Sequence, residues 1–404
     1  MSPEGGPLAF PDGFRWGVAY AAHQVEGGNW NSDWWEFEHT PDSGCAEPSG
    51  DACDSWHRWP EDLALAEQLG FDDFRFSVEW ARIEPEDGEF SQVALDHYRT
   101  MCLAIRERGV QPVVTLYHFT LPRWFAALGG WESDESPERF ARYCDRVLSE
   151  LGDVAARICT LNEPNVIGMM GYVMGMFPPG RANDTVAYRR VTANLLEAHR
   201  GAVRAARRHA PGVPVGLTLS MTDYQLAEGG ESRFDEIVAT EDVFLDITGG
   251  DDFIGVQAYT RMVIGPSGWA GPQPGVPTLI MGYEYWPEAL EGTIRRAVAR
   301  TGGRLPVLVT ENGIGTDDDA QRMDYVERAL RGVRRVLDDG IDVIGYTYWS
   351  LLDNFEWAAG YGPRFGIVSV DRRNFAREVK GSGRWLGEVA RGNALVPPPL
   401  SWQP

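Results

Sequence analysis

Along the chain, short apolar stretches alternate with longer ones whose apolar residues recur every three to four positions. The short stretches fall at residues 14–22, 72–78, 111–118, 156–163, 214–221, 253–259, 305–311 and 342–349. Several are apolar at nearly every position, which suits strands buried on both faces. Helical spacing covers residues 59–69, 92–108, 137–151, 185–210, 287–301 and 320–339; in the first of these, Leu63, Ala66 and Leu69 share a face. Gly70, Gly109, Gly152 and Gly340 stand where helices commonly stop. Strands and helices taking turns in this way predict parallel βαβ units, and eight of them predict an α/β protein with a single (β/α)₈ (TIM) barrel over residues 1–404. No Ser/Gly linker or break in composition divides the chain.

Charge narrows the choice of partner. The net charge is −22. Nucleic acids and anionic membranes call for basic patches, so neither is expected, and a small uncharged or cationic ligand fits better. Lys380 is the only lysine, which leaves almost no place for a lysine Schiff base or a phosphate-loop lysine. No apolar run approaches the ~20 residues of a membrane helix, and the N-terminus has no secretory pattern; a cytoplasmic protein is expected. The five cysteines, at 45, 53, 102, 144 and 159, show no CxxC spacing. Buried free thiols are the preferred reading over a Cys45–Cys53 bridge.

In a barrel of this kind, chemistry gathers at the C-terminal ends of the strands. Those ends carry Gln24, Arg75, His118, Asn162 with Glu163, Tyr259, Glu311 and Trp349. Any one of these alone would be a structural residue as readily as a site residue; their collection at strand ends points to a site. Glu163 lies in Thr160-Leu161-Asn162-Glu163-Pro164-Asn165 and Glu311 in Leu308-Val309-Thr310-Glu311-Asn312-Gly313. A glutamate closing an apolar strand is costly without a partner or a task.

Strands four and seven face each other across the barrel, so two carboxyls reaching inward could flank a glycosidic bond. One would protonate the leaving oxygen and the other attack, with a gap of ~5–5.5 Å giving retention and a wider one inversion. Arg75 and Tyr259 are expected to hold Glu311 ionised and lower its pKa, while Glu163 starts protonated with a raised one. The fifteen tryptophans mostly belong to the core, but aromatic faces also stack on sugars. Asp317-Asp318-Asp319 reads as a solvated loop entering a helix N-terminus.

With these motifs in view, the chain resembles glycoside hydrolase family 1, the β-glucosidase family, from about residue 10 to 386. The resemblance rests on Phe10-Pro11-Asp12-Gly13-Phe14-Arg15-Trp16-Gly17, Gln24-Val25-Glu26-Gly27, Arg75-Phe76-Ser77, Asn162-Glu163-Pro164 and Thr310-Glu311-Asn312-Gly313. Most specific is Trp349-Ser350-Leu351-Leu352-Asp353-Asn354-Phe355-Glu356-Trp357, followed by Gly360-Tyr361 and Arg364-Phe365-Gly366. It implies a retaining β-glycosidase with Glu163 as acid/base, Glu311 as nucleophile, and Arg75, Tyr259 and Asn162 in support. It also implies that Gln24, His118, Asn162, Glu356 and Trp357 bond sugar hydroxyls, that Trp349 forms the floor, and that no metal or organic cofactor is needed.

There are departures. Phe119 and Thr120 follow His118 where the family has Trp first, which removes an indole N–H that would reach the 3-hydroxyl. Gln257 and Ala258 replace the usual Asn pattern on the sixth strand. The segments after Met221 and Thr260 look trimmed, which fits either a wide aglycone side taking bulky secondary-metabolite aglycones or merely shorter loops on a general β-glucosidase. Glu356 would repel a 6-phosphate, so an unphosphorylated sugar is expected. A catalytically inactive sugar-binding barrel would lack one of the two glutamates, and both are present. Glycosyl transfer to other acceptors shares the same intermediate and stays open as an alternative.

Overall fold

Eight parallel strands close into a barrel. A computed structural model describes residues 7–403. The strands are β1 (Arg15–Ala19), β2 (Asp73–Ser77), β3 (Gln111–Tyr117), β4 (Arg157–Asn162), β5 (Val215–Ser220), β6 (Phe253–Gln257), β7 (Val307–Glu311) and β8 (Val343–Trp349). They pair in sequence order, with β8 returning to β1 through Tyr346↔Trp16 and Thr347↔Gly17. All eight predicted strands are present, each trimmed to the residues that share ladder bonds.

Eight principal helices follow the strands in turn: α1 (Ser55–Leu69), α2 (Gln92–Glu107), α3 (Ser136–Leu151), α4 (Thr185–His209), α5 (Glu231–Leu245), α6 (Ala289–Thr301), α7 (Asp319–Asp338) and α8 (Gly381–Gly392). Side-chain caps explain several starts. Ser91 accepts from Ala94 N, Asp184 from Ala187 N, and Asp318 from both Ala320 N and Gln321 N, satisfying donors the first turn would otherwise leave orphaned. The acidic run at 317–319 is thus a helix entrance, as expected.

Two helices were not legible. α5 opens after Gly229-Gly230 and buries only Glu241, Phe244 and Leu245; α8 opens Gly381-Ser382-Gly383, and glycine hides a helical signal. Gly152 differs from the expected left-handed cap, since its φ is −63°. A Cβ there would stand 2.6 Å from both Leu148 O and His209 O, so close packing against the end of α4 requires glycine.

The segments after Met221 and Thr260 are more than shortened loops. Asp223–Leu226 pairs in parallel with Arg261–Gly265, which pairs in turn with Gly268–Trp269, making a small sheet over the rim at β5 and β6. At the other end of the barrel, Leu8–Ala9 pairs with Ala394–Leu395. Among the described residues no helix is long and apolar enough to cross a membrane. All five cysteines are free; four are buried and Cys45 is half-buried.

Candidate active site

The C-terminal strand ends converge on one buried polar cluster. Arg75 points inward from β2 and is 2% exposed. It donates to Glu311 Oε1 at the end of β7, to Asn162 Oδ1 at the end of β4 (2.7 Å) and to Thr115 Oγ1 on β3 (3.1 Å). One guanidinium therefore ties four strands together, and its fixed fork suits that task better than a lysine would.

Glu311 is surrounded by donors. Its Oε1 accepts from Arg75 and from Gln257 Nε2 (2.7 Å), and its Oε2 accepts from Tyr259 Oη (2.6 Å). Next along the chain, Asn312 donates to Ala258 O (2.6 Å) and accepts from Tyr346 Oη (2.9 Å), locking β6, β7 and β8. Gly313 is dictated by crowding, because a Cβ would sit 2.0 Å from Trp349 O.

Glu163 comes from β4 in a different way. It adopts the left-handed conformation, φ 44° and ψ 60°, before the short helix Pro164–Gly168. A non-glycine residue there is held against its preference, a condition common at functional sites. Its backbone N–H donates to Thr218 O at 2.9 Å, which fixes the turn that aims the side chain.

The charges of the two carboxyls differ in cause. Burial, then the charge of Glu311, pushes Glu163 well above the usual carboxylate range, with Arg75 opposing. Burial also raises Glu311, and Arg75 and Tyr259 only partly offset it. The expected lowering of Glu311 is therefore corrected: the donors were legible in the sequence and the desolvation was not. The ordering survives, with Glu311 the readier of the two to ionise. Burial and the charge of Glu311 push Glu356 up to about 8.

The other predicted residues surround this pair. His118 lies just past β3, and its Nε2 accepts from Asn162 Nδ2 at 3.3 Å. Its ring stacks near those of Trp349 (centroids 5.7 Å, 15°) and Trp357 (6.0 Å, 14°). Burial and the charge of Arg75 hold it well below the ordinary histidine range, hence neutral. Gln24, in the short helix Ala22–Val25, donates to Phe355 O (2.8 Å) and Glu356 Oε2 (3.3 Å). Trp357 rests on His23, whose ring is parallel within 3° at 5.7 Å. Thus Gln24, Arg75, His118, Asn162, Glu163, Tyr259, Glu311, Trp349, Glu356 and Trp357 are linked in one assembly.

Two amide oxygens in it, Gln24 Oε1 and Gln257 Oε1, are buried without a donor. Such orphans call for a partner, and hydroxyl groups would supply one.

The profile described as "Glycosyl hydrolase family 1" matches residues 7–258 and 257–395. The chain belongs to that family. "Beta-glucosidase A" of Thermotoga maritima is 34% identical over 441 aligned positions, spanning 96% of this chain and 98% of that protein. Among solved structures, beta-glycosidase BGL167 is 46% identical with a TM-score of 0.88, covering 98% of this chain and 99% of its own. The family 1 β-glucosidase of Thermotoga maritima superposes with a TM-score of 0.90 at 31% identity, covering 96% and 100%. This chain is a glycoside hydrolase on a (β/α)₈ barrel.

Within the family 1 frame, sequence reasoning noted Gln257 only as a departure; the structure places it at the centre, donating to both Asn162 and Glu311. Tyr283 was missed. It sits in the segment before α6, and burial, then the influence of Tyr325, Glu356 and Glu163, pushes its hydroxyl up. No periodicity marks that segment. The departure at Phe119 leaves a ring edge-on to Trp357, with centroids 5.2 Å apart.

Proposed function

We propose that the enzyme is a retaining β-glucosidase, acting on unphosphorylated β-glycosides by double displacement, with the chain forming one catalytic domain. Glu311 attacks the anomeric carbon while protonated Glu163 gives its proton to the glycosidic oxygen, and the aglycone leaves. Glu163, now ionised, takes a proton from water as that water attacks the same carbon. The C–O bond to Glu311 breaks, and both carboxyls return to their starting states.

The observation that carries this reading is the unequal setting of the two glutamates. Glu311 is held by a guanidinium, an amide and a phenol, which favour its ionised form, whereas burial against a neighbouring carboxylate favours protonated Glu163. Paired groups pushed apart in this way mark nucleophile and acid. The β-glucosidase names of the relatives support glucose as the sugar. Gln24, His118, Asn162, Glu356 and Trp357 would hold its hydroxyls above Trp349. Bulky aglycones fit a rim framed by the small sheet rather than by long loops. A cytoplasmic setting agrees with the free thiols.

The test is product stereochemistry. Proton NMR of early aryl β-glucoside hydrolysis should show the β-anomer first; α-glucose appearing first would replace Glu311 as nucleophile with a water.

A further inference from the structure

A cavity of about 620 Å³ lies among the segments that follow β1, β3 and β4, and neither Glu163 nor Glu311 lines it. That size falls within the roughly 300–1,000 Å³ of small-molecule sites. Phe119 and the half-buried Phe177 line its inner side, with the fully buried Trp34 behind them; these rings lie 5.2, 6.1 and 4.7 Å from that of Trp357. The cavity therefore backs directly onto the sugar-holding side chains.

Its polar groups have unused capacity. Asp33 Oδ1 accepts from Leu121 N and Trp34 N, both at 2.8 Å, while Oδ2 has no partner among the described residues. Tyr117 Oη accepts from Trp131 Nε1 at 2.9 Å and donates to nothing described; Tyr172 Oη makes no described bond at all. Trp34 Nε1 is buried and unpartnered. Burial pushes Asp33 up to about 7, so near neutrality it can both donate and accept. Both arginines in the lining are already paired, Arg123 with Glu36 and Arg181 with Glu132, and Asp42 has no ion-pair partner among the described residues, so nothing there favours an anion.

We propose that this cavity is a second sugar site, taking a neutral hexopyranose ring against the aromatic wall with its hydroxyls on Asp33, Tyr117 and Tyr172. Aromatic faces with donor–acceptor groups between them match a ring that is apolar on its faces and hydroxylated at its rim. The ring is either free hexose, the product of the proposed reaction, or a further sugar unit of the substrate. This rests on the glucosidase reading only for the source of the sugar.

The experiment is a calorimetric titration of the intact protein with glucose. Two molecules should bind per chain, falling to one in Ala126→Trp, which fills the cavity. In Tyr172→Phe the weaker site should loosen roughly two- to tenfold, the effect of one hydrogen bond. A single site in all three proteins overturns the proposal. Kinetics then separate the sources. Glucose altering kcat for an aryl glucoside, lost in Ala126→Trp, identifies free sugar. Intact disaccharide released from an aryl cellobioside, also lost in Ala126→Trp, identifies an attached unit. Absence of aryl glucoside turnover would defeat the catalytic reading, while the count of bound glucose would still decide the cavity.

Discussion

Arg75 and Glu311 form a buried ion pair between the second and seventh strands, with side chains only 2% and 5% exposed. Removing the cation leaves a buried carboxylate uncompensated, which costs ~3–5 kcal/mol. Arg75→Met should therefore lower Tm, and it should also move the acidic limb of the kcat/KM profile to higher pH, because burial, which raises Glu311, is then opposed by Tyr259 without the Arg75 charge. An unmoved limb would mean that Arg75 only braces the barrel.

Gln257 offers a second handle on the same carboxylate. Its amide N–H pair is divided between Asn162 Oδ1 (2.9 Å) and Glu311 Oε1 (2.7 Å). A hydrogen bond to a charged group is worth about 1.5–3 kcal/mol, so Gln257→Leu should lower kcat/KM by roughly ten- to a hundredfold. Asn162, which the family resemblance sets against the 2-hydroxyl, keeps Arg75 but loses this second donor, so discrimination between a glucoside and its 2-deoxy analogue should narrow. An unchanged ratio would separate Gln257 from Asn162.

Much of this arrangement was legible in the sequence. The eight strands announce themselves because a strand buried on both faces is apolar at every position, and a glutamate closing such a strand stands out against that background. What escaped was set by packing. The partners of Gln257 lie 95 and 54 residues away, beyond any local pattern. Glu311 was expected to be lowered because Arg75 and Tyr259 are visible in the chain, whereas its burial is a property of the closed barrel. The helices α5 and α8 were hidden by glycines at their starts.

The leaving group reports on Glu163. For an alkyl β-glucoside, Glu163→Gln should cost ~10²–10⁴-fold in kcat/KM, the usual worth of general acid catalysis. For an aryl glucoside whose phenol leaves readily, the first step should be nearly untouched. The alkaline limb of the wild-type profile should vanish in the same variant, since that limb is the loss of the Glu163 proton. Equal losses on both substrates would assign the proton to another group.

Away from the site, Glu79 gives a stability prediction. Burial and the charge of Glu26 push it up to about 8, above its unfolded value of ~4.3. A raised folded value favours the neutral form in the fold, so this contribution is present at low pH and is lost as pH rises from about 4.3 through about 8. Glu79→Gln keeps an acceptor for Thr120 Oγ1 and Ala81 N and carries no charge. Its Tm should fall less than that of the wild type between pH 5 and pH 9. Parallel curves would show that Glu79 does not titrate in this range.

The most direct measurement is covalent trapping. A 2-deoxy-2-fluoro-β-glucoside with a good leaving group forms the glycosyl-enzyme but hydrolyses it slowly, so the intact protein should gain the mass of one fluoroglucosyl unit. Peptide mapping should place it as an ester on Glu311, and Glu311→Ala should gain nothing. Label on any other residue, or labelling that persists in Glu311→Ala, would contradict the assignment of Glu311 as the nucleophile.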